Sequence, residues 1–272
     1  MTGPLVLKLG GELLETAAGR ARIAVFAAST HVERPLVIVH GGGRAIDAEL
    51  DRRGIVPRKV DGLRITDAAT LETVVSVLAG SANTELVAAL VAQGVQAVGL
   101  TGVDAGFGRA VRAEAHHSAS GATVDLGLVG DPADADPALI ELLLVHDYVP
   151  VIASLGIEDG PDPSVLNVNA DVMACRVAAA LGGADLVIAG ATAGVLDGEG
   201  RRIDALDAVA IDAMISDGTA TTGMIAKLRA CRAALQDGVN TIRIVDGRQL
   251  GSTHGVDDAP GTTIAVSVET LR

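Results

Sequence analysis

Leu5-Val6-Leu7-Lys8-Leu9-Gly10-Gly11 is the stretch on which the reading of this chain turns. Its Leu/Val residues suit a strand covered on both faces, and the glycine pair marks a turn into the helical stretch beyond. A lysine at the strand's end, beside main-chain N–H groups at the start of a helix, makes a place for a phosphate chain. On this motif alone, a solvated lysine at the edge of a glycine turn stays open as the alternative. The arrangement returns at Leu36–Val39, which runs into His40-Gly41-Gly42-Gly43 and a helical stretch from Arg44. Three consecutive glycines cost backbone entropy without packing gain, so they imply that something approaches the main chain closely.

Working outward, similar apolar runs recur at Val95–Leu100, Val149–Ala153, Asp185–Ala189, Thr241–Val245 and Thr263–Val268, separated by Ala-rich helical stretches. This alternation predicts an α/β fold with helices on both faces of a mainly parallel open sheet, a three-layer αβα sandwich. Sites then belong at the carboxyl ends of the strands. Between Phe107 and Asp131 the texture changes: Arg109–Ala115 and Thr123–Val129 flank His116–Gly121, which reads as one antiparallel hairpin over the sheet, a candidate lid.

Composition excludes several functions. The chain has 272 residues and a formal net charge of −13, with no Trp, one Tyr and two Phe. Phosphate backbones are repelled and bases find almost no stacking partner, so nucleic acid is not expected as a partner. Cys175 and Cys231 stand far apart in sequence without CxxC spacing and read as buried apolar residues of a reducing compartment. No apolar run approaches membrane-spanning length and no leader pattern opens the chain, so a cytoplasmic protein without membrane contact is expected.

The phosphate apparatus is of no common type. GxxxxGK[ST] is absent, Gly106-Phe107-Gly108 is not completed to GxGxxG, and protein-kinase, zinc-hydrolase and serine-hydrolase signatures are missing. His116 and His117 lack a third ligand pattern and read as solvated loop residues; no metal site is expected. Asp131–Asp136 reads as a turn and helix start rather than a calcium loop.

Two further stretches matter: Asn167-Val168-Asn169-Ala170-Asp171 and Gly223-Met224-Ile225-Ala226-Lys227, each entering a helix. With these the chain resembles the amino acid kinase family, in the order KLGG, PLVIVHGGG, VDGLRITD, AVGLTG, HDYVPVI, NVNAD, GVLDGEG and GMIAK, from Pro4 to about Val268. The resemblance implies transfer of the γ-phosphoryl group of ATP, with Mg²⁺, to the side-chain carboxylate of N-acetyl-L-glutamate. It makes Lys8, Lys227 and Asp171 catalytic, with the lysines on the transferring and leaving groups and Asp171 between them. Gly42, Gly43, Arg64 and Asn167 would bind the acyl amino acid, and Gly10, Gly11 and Gly223 the phosphates. Two anions meet in such a reaction, so positive charge is needed and no base is. Read singly, Arg64 is open to pairing with Asp67, Asn167 to serving a turn, and Asp171 to capping its helix.

The resemblance also divides one continuous fold into residues 1–178, for the acyl amino acid and dimerisation, and 179–272, for ATP, with a hinge near Val172–Leu181. Only four residues precede Leu5, where hexameric relatives carry a helix, so a homodimer without strong arginine inhibition is expected. The chain departs from the family at Ala191, where an acid is usual, and at Thr222, where Gly or Asp is common. These departures keep two rivals in view: a kinase for an aminoadipate-type acid, and a catalytically silent amino-acid or nucleotide sensor.

Overall fold

The structure is a computed structural model that describes residues 3–118, 121–133, 135–220, 222–251 and 259–266, with Thr222 by its main chain alone. Every residue of β1 (Leu5–Leu9) is buried, because the strand lies between two parallel neighbours with helices on both faces. Thr16 Oγ1 accepts from Gly19 N at 3.0 Å and caps α1 (Ala17–Glu33), which leads back to β2 (Leu36–His40). Next come α2 (Gly43–Arg52), the small hairpin of β3 (Lys59–Val60) and β4 (Leu63–Arg64), and α3 (Ala68–Val75). A π-helical stretch, Ser76–Ala82, joins α3 to α4 (Asn83–Val91), and β5 (Ala97–Thr101) follows. Then come β6 (Arg109–Arg112), β7 (His116–His117), β8 (Thr123–Val124), β9 (Val129–Pro132) and α5 (Ala138–Val145). The chain continues through β10 (Val149–Ala153), β11 (Leu155–Glu158), β12 (Val165–Val168), α6 (Ala170–Ala180) and β13 (Asp185–Gly190). It closes with β14 (Ala205–Leu206), α7 (Ala208–Ser216), α8 (Thr222–Gln236), β15 (Thr241–Asp246) and β16 (Gly261–Ile264).

Eight strands make one sheet, ordered β14-β16-β15-β13-β1-β2-β10-β5, in which every neighbouring pair is parallel except β15 and β16. The period of two along β1 decides what each side chain meets. Leu5, Leu7 and Leu9 pack with Ile23 and Phe26 of α1 and Leu86 and Leu90 of α4, while Val6 packs with Met173 and Val177 of α6 and Leu228 of α8. Lys8 shares the side of Val6. Its ammonium is thereby delivered, at the carboxyl end of β1, to Asp171 in the first turn of α6.

Several expectations need correction. The segment after Phe107 is no single hairpin: β6 pairs antiparallel with β9, and these two join β11 and β12 in a small closed barrel. Only the tip, β7 and β8, is a separate hairpin, and residues 119 and 120 of that tip lie outside the described residues. The final strand is Gly261–Ile264, and residues 267 and 268 also lie outside them.

Second, the continuous helix Ala68–Val91, with mean hydropathy 1.7 over its most apolar window, is long and apolar enough to cross a membrane by length and composition. Glu72 and Glu85 interrupt the apolar run, which hides its length in the sequence. Here Val74, Leu78, Leu86 and Leu90 of this helix are buried in the protein's own core. Third, His116 is no solvated residue: its Nε2 lies 2.8 Å from Asp61 Oδ2. Of the Asp131–Asp136 stretch read as a turn and helix start, Asp131 and Pro132 belong to β9 instead, residue 134 lies outside the described residues, and Asp136 leads into α5, accepting from Ala138 N at 3.0 Å. Cys175 and Cys231 are both buried, as their sequence setting implies, and they are neighbours across α6 and α8; their contact, with burial, pushes the Cys175 thiol well above its ordinary range.

Candidate active site

A cavity of about 250 Å³ opens at the carboxyl ends of β1 and β2, where an open parallel sheet offers its crevice. Lys8 Nζ lies 2.8 Å from Asp171 Oδ1, and Lys227 Nζ donates to Asp171 Oδ2 at 2.8 Å. One carboxylate thus bridges two ammonium groups. Burial alone would raise the Asp171 pKa, but the charges and hydrogen bonds of Lys8 and Lys227 outweigh it and hold the carboxyl well below the usual range. Asn169 is the actual cap of α6, accepting from Asp171 N at 2.8 Å and Val172 N at 3.3 Å. Asp171 is therefore free of the capping task that the sequence left open.

The two glycine turns touch. A Cβ on Gly11 would lie 2.8 Å from Gly42 Cα and 3.1 Å from Gly43 N, so only glycine permits this approach. Gly11 opens a short 3₁₀ turn and Gly43 opens α2, so neither N–H has an intrahelical acceptor. The cavity is thus walled by main-chain donors beside Lys8, which suits an anionic group. Gly10 lies in the same wall and donates to Ala189 O at 2.8 Å.

At the other end stands Arg64, buried on β4. Its Nη2 lies 2.7 Å from Asp47 Oδ1 and donates to Gly43 O at 3.1 Å, while Nη1 is buried with no protein partner among the described residues. Asp67 is occupied elsewhere, accepting from Thr70 N at 2.9 Å as the cap of α3. Lys59 closes the cluster, its Nζ 2.6 Å from Asp47 Oδ2. Burial would raise the Asp47 pKa, but Lys59 and Arg64 lower it on balance. Asn167 lies on β12 of the barrel, not in a turn, and its Nδ2 donates to Thr66 Oγ1 at 3.2 Å.

Of the residues singled out in the sequence, Lys8, Gly10, Gly11, Gly42, Gly43, Arg64, Asn167 and Asp171 line this one cavity. Lys227 joins it through Asp171. Gly223 does not: it lies on the exposed first turn of α8, with nothing within 4 Å of where a Cβ would stand. The Thr222 side chain lies outside the described residues.

Sequence reasoning passed over Lys59, Asp47 and Ser154, whose patterns carry no signal apart from the fold, and also Glu12. Glu12 lines the cavity and accepts from Ala191 N at 3.0 Å, so a carboxylate from the first glycine turn reaches the very position where the chain lacks an acid of its own. His40, fully buried behind the second glycine turn, was also passed over. Burial pushes its imidazole down to about 4, against the contact with the Gly41 carbonyl.

A parallel α/β sheet with an anion-ready crevice between two glycine turns is the frame of a small-molecule kinase, and residues 3–246 match the amino acid kinase family. The chain belongs to that family and is a kinase. The acetylglutamate kinase of Symbiobacterium thermophilum is 41% identical over 254 residues, covering 90% of this chain and 84% of that one. The acetylglutamate kinase of Sorangium cellulosum is 40% identical over 272 residues, covering 98% and 95%. Among solved structures, N-acetylglutamate synthase from Neisseria gonorrhoeae superposes with a TM-score of 0.80 at 23% identity, over 97% of this chain and 59% of the synthase. That likeness is one of fold.

Proposed function

We propose that this kinase moves the γ-phosphoryl group of ATP to the side-chain carboxylate of N-acetyl-L-glutamate, forming N-acetyl-L-glutamyl 5-phosphate for arginine biosynthesis. The observation that carries the reading is the Lys8–Asp171–Lys227 bridge beside two touching glycine turns. A carboxylate oxygen attacks the γ-phosphorus, the bond to the β,γ-bridging oxygen breaks, and ADP takes that electron pair. The acceptor is already ionised, so no group has to remove a proton. Lys8 offsets charge on the transferring group and Lys227 on the leaving side, while Asp171, held ionised, keeps the two ammonium groups in place. The N–H groups of Gly11, Gly42 and Gly43 receive phosphoryl oxygens.

The free Nη1 of Arg64 meets the α-carboxylate, and Asn167, donating to Thr66 through Nδ2, keeps its carbonyl oxygen to accept from the substrate amide. The cavity suits a small acid and a phosphoryl group rather than a whole nucleotide, so the nucleoside belongs on the side of β13 and α8. Mg²⁺ bound to the phosphates would neutralise part of their charge. Among the described residues two carboxylates line the cavity and Asp171 is taken by lysines, so Glu12 is the one of these placed to assist such an ion, with the phosphates and water supplying the rest.

ADP release with Mg-ATP and N-acetyl-L-glutamate, against L-glutamate and N-acetyl-L-aminoadipate, tests the reading. Turnover with the first acid well above the other two is expected. Preference for the aminoadipate would move the substrate by one methylene, and tight binding without ADP from any acid would make the chain a silent sensor.

The same reading includes a cytoplasmic homodimer. Edge strand β5 pairs with β10 alone among the described strands, and Val91, Leu142 and Val145 on the flanking helices are exposed. An unpaired edge with apolar borders favours pairing with a second copy.

A further inference from the structure

His40 ends β2, directly before Gly41-Gly42-Gly43, and none of its surface is exposed. Alternation along β2 places Leu36, Ile38 and His40 on the side of α1 and α4, so the ring lies behind the glycine turn and outside the cavity lining. Both ring nitrogens are engaged. Nδ1 is 3.2 Å from the Gly41 carbonyl oxygen and Nε2 is 3.1 Å from Asn83 Nδ2.

The assignment of protons follows from the far end of this chain of contacts. Asn83 Nδ2 also lies 2.9 Å from the Val151 carbonyl oxygen, an acceptor only, which fixes which end of the amide is nitrogen. That NH₂ group gives one hydrogen to Val151 and the other to His40, so Nε2 accepts and Nδ1 carries the proton. Nδ1–H then donates to Gly41 O. In a planar trans peptide the C=O of one residue and the N–H of the next point in opposite directions, so holding Gly41 O back toward α4 aims Gly42 N–H forward into the cavity.

The surroundings reserve space for this device. A Cβ on Gly99 of β5 would lie 2.1 Å from Asn83 Oδ1, so the neighbouring strand yields room to the asparagine. Asn83 directly follows the π-helical stretch Ser76–Ala82, a geometry found mostly where function requires it, and Leu78 of that stretch packs against Gly42. A Gly-Gly peptide has little of its own to resist flipping.

We propose that His40 and Asn83 are positioning residues that keep the Gly41–Gly42 peptide from flipping and so hold Gly42 N–H on the phosphoryl group. The proposal rests on the kinase reading of the cavity. His40→Phe fills the space without either hydrogen bond, and steady-state ADP release should show kcat lowered about 10- to 100-fold with both KM values within about threefold. His40→Asn restores an N–H near Gly41 O and should recover most of that loss. Asn83→Leu should mimic His40→Phe, and the double variant should be no slower than the slower single one. Unchanged kcat in His40→Phe, or losses that multiply in the double variant, would overturn the proposal.

A second measurement is independent of turnover. In ¹⁵N NMR of the wild-type histidine rings near neutral pH, the His40 ring, assigned through its own side-chain and backbone correlations, should be the Nδ1–H tautomer. An Nε2–H tautomer or an imidazolium there overturns the proposal even if variants fail to fold. Wild-type protein that shows the Nδ1–H tautomer but releases no ADP counts against the substrate reading and leaves the positioning assignment supported.

Discussion

At the scale of single residues, charge near the reacting centre separates from charge near the substrate's far end. Lys8→Met and Lys227→Met should each lower kcat by about 10²–10³, with the KM for the acyl amino acid changed less than about threefold, in steady-state assays. Arg64→Lys should instead raise that KM by about tenfold or more, because an ammonium cannot span Asp47, Gly43 O and a substrate carboxylate as a planar fork can. Lys8 was legible because a strand end and a glycine turn announce it, whereas Arg64 was legible only through the GLRITD stretch that carries the family resemblance. Glu12 was not, since a glutamate after two glycines reads as an ordinary first-turn acid until the fold brings Ala191 N–H against it. Glu12→Ala should raise the KM for ATP roughly tenfold, whereas Glu12→Gln, which can still accept from Ala191 but lacks the charge that would assist the metal ion, should raise it by a smaller factor. Equal effects of the two substitutions would place the role in charge instead.

At the scale of elements, α6 shows how a cap serves chemistry. Asn169 holds the first turn, and Asp171 sits in that turn between the lysines. Asn169→Ala should cost about 1 kcal/mol in urea unfolding and lower kcat, while Asn169→Asp should preserve stability. The long parallel strands were legible from apolar runs: Leu5–Leu9, Leu36–His40 and Val149–Ala153 stand where the pattern places them. The barrel of β6, β9, β11 and β12 was not. Its strands have four residues each, too short for a period to show, and apart from the adjacent β11 and β12 they pair across long stretches of sequence. Asn167 was thus identified by motif, while its place on a strand facing Thr66 had to come from the fold.

For the whole molecule, the lobes proposed at 1–178 and 179–272 share one sheet, with β1 and β13 paired from Leu5↔Asp185 to Leu9↔Ala189. Closure on substrates would bend that seam, near α6. Buried His40 also gives the fold a pH dependence. Its pKa is about 4 when folded against 6.5 ordinarily, so between those values the unfolded chain holds a proton that the folded one lacks. Stability from this group is complete above about pH 6.5 and is lost as pH falls toward 4, by about 3 kcal/mol in all. Urea midpoints at pH 7, 5.5 and 4.5 should fall more steeply for the wild type than for His40→Asn. The central claim is that the phosphoryl group lands on a carboxylate. Hydroxylamine trapping tests it most directly: an acyl phosphate formed from ATP and N-acetyl-L-glutamate yields a hydroxamate in step with ADP. The account predicts equal amounts of the two, with both lost in Lys8→Met; ADP formed without hydroxamate would contradict it.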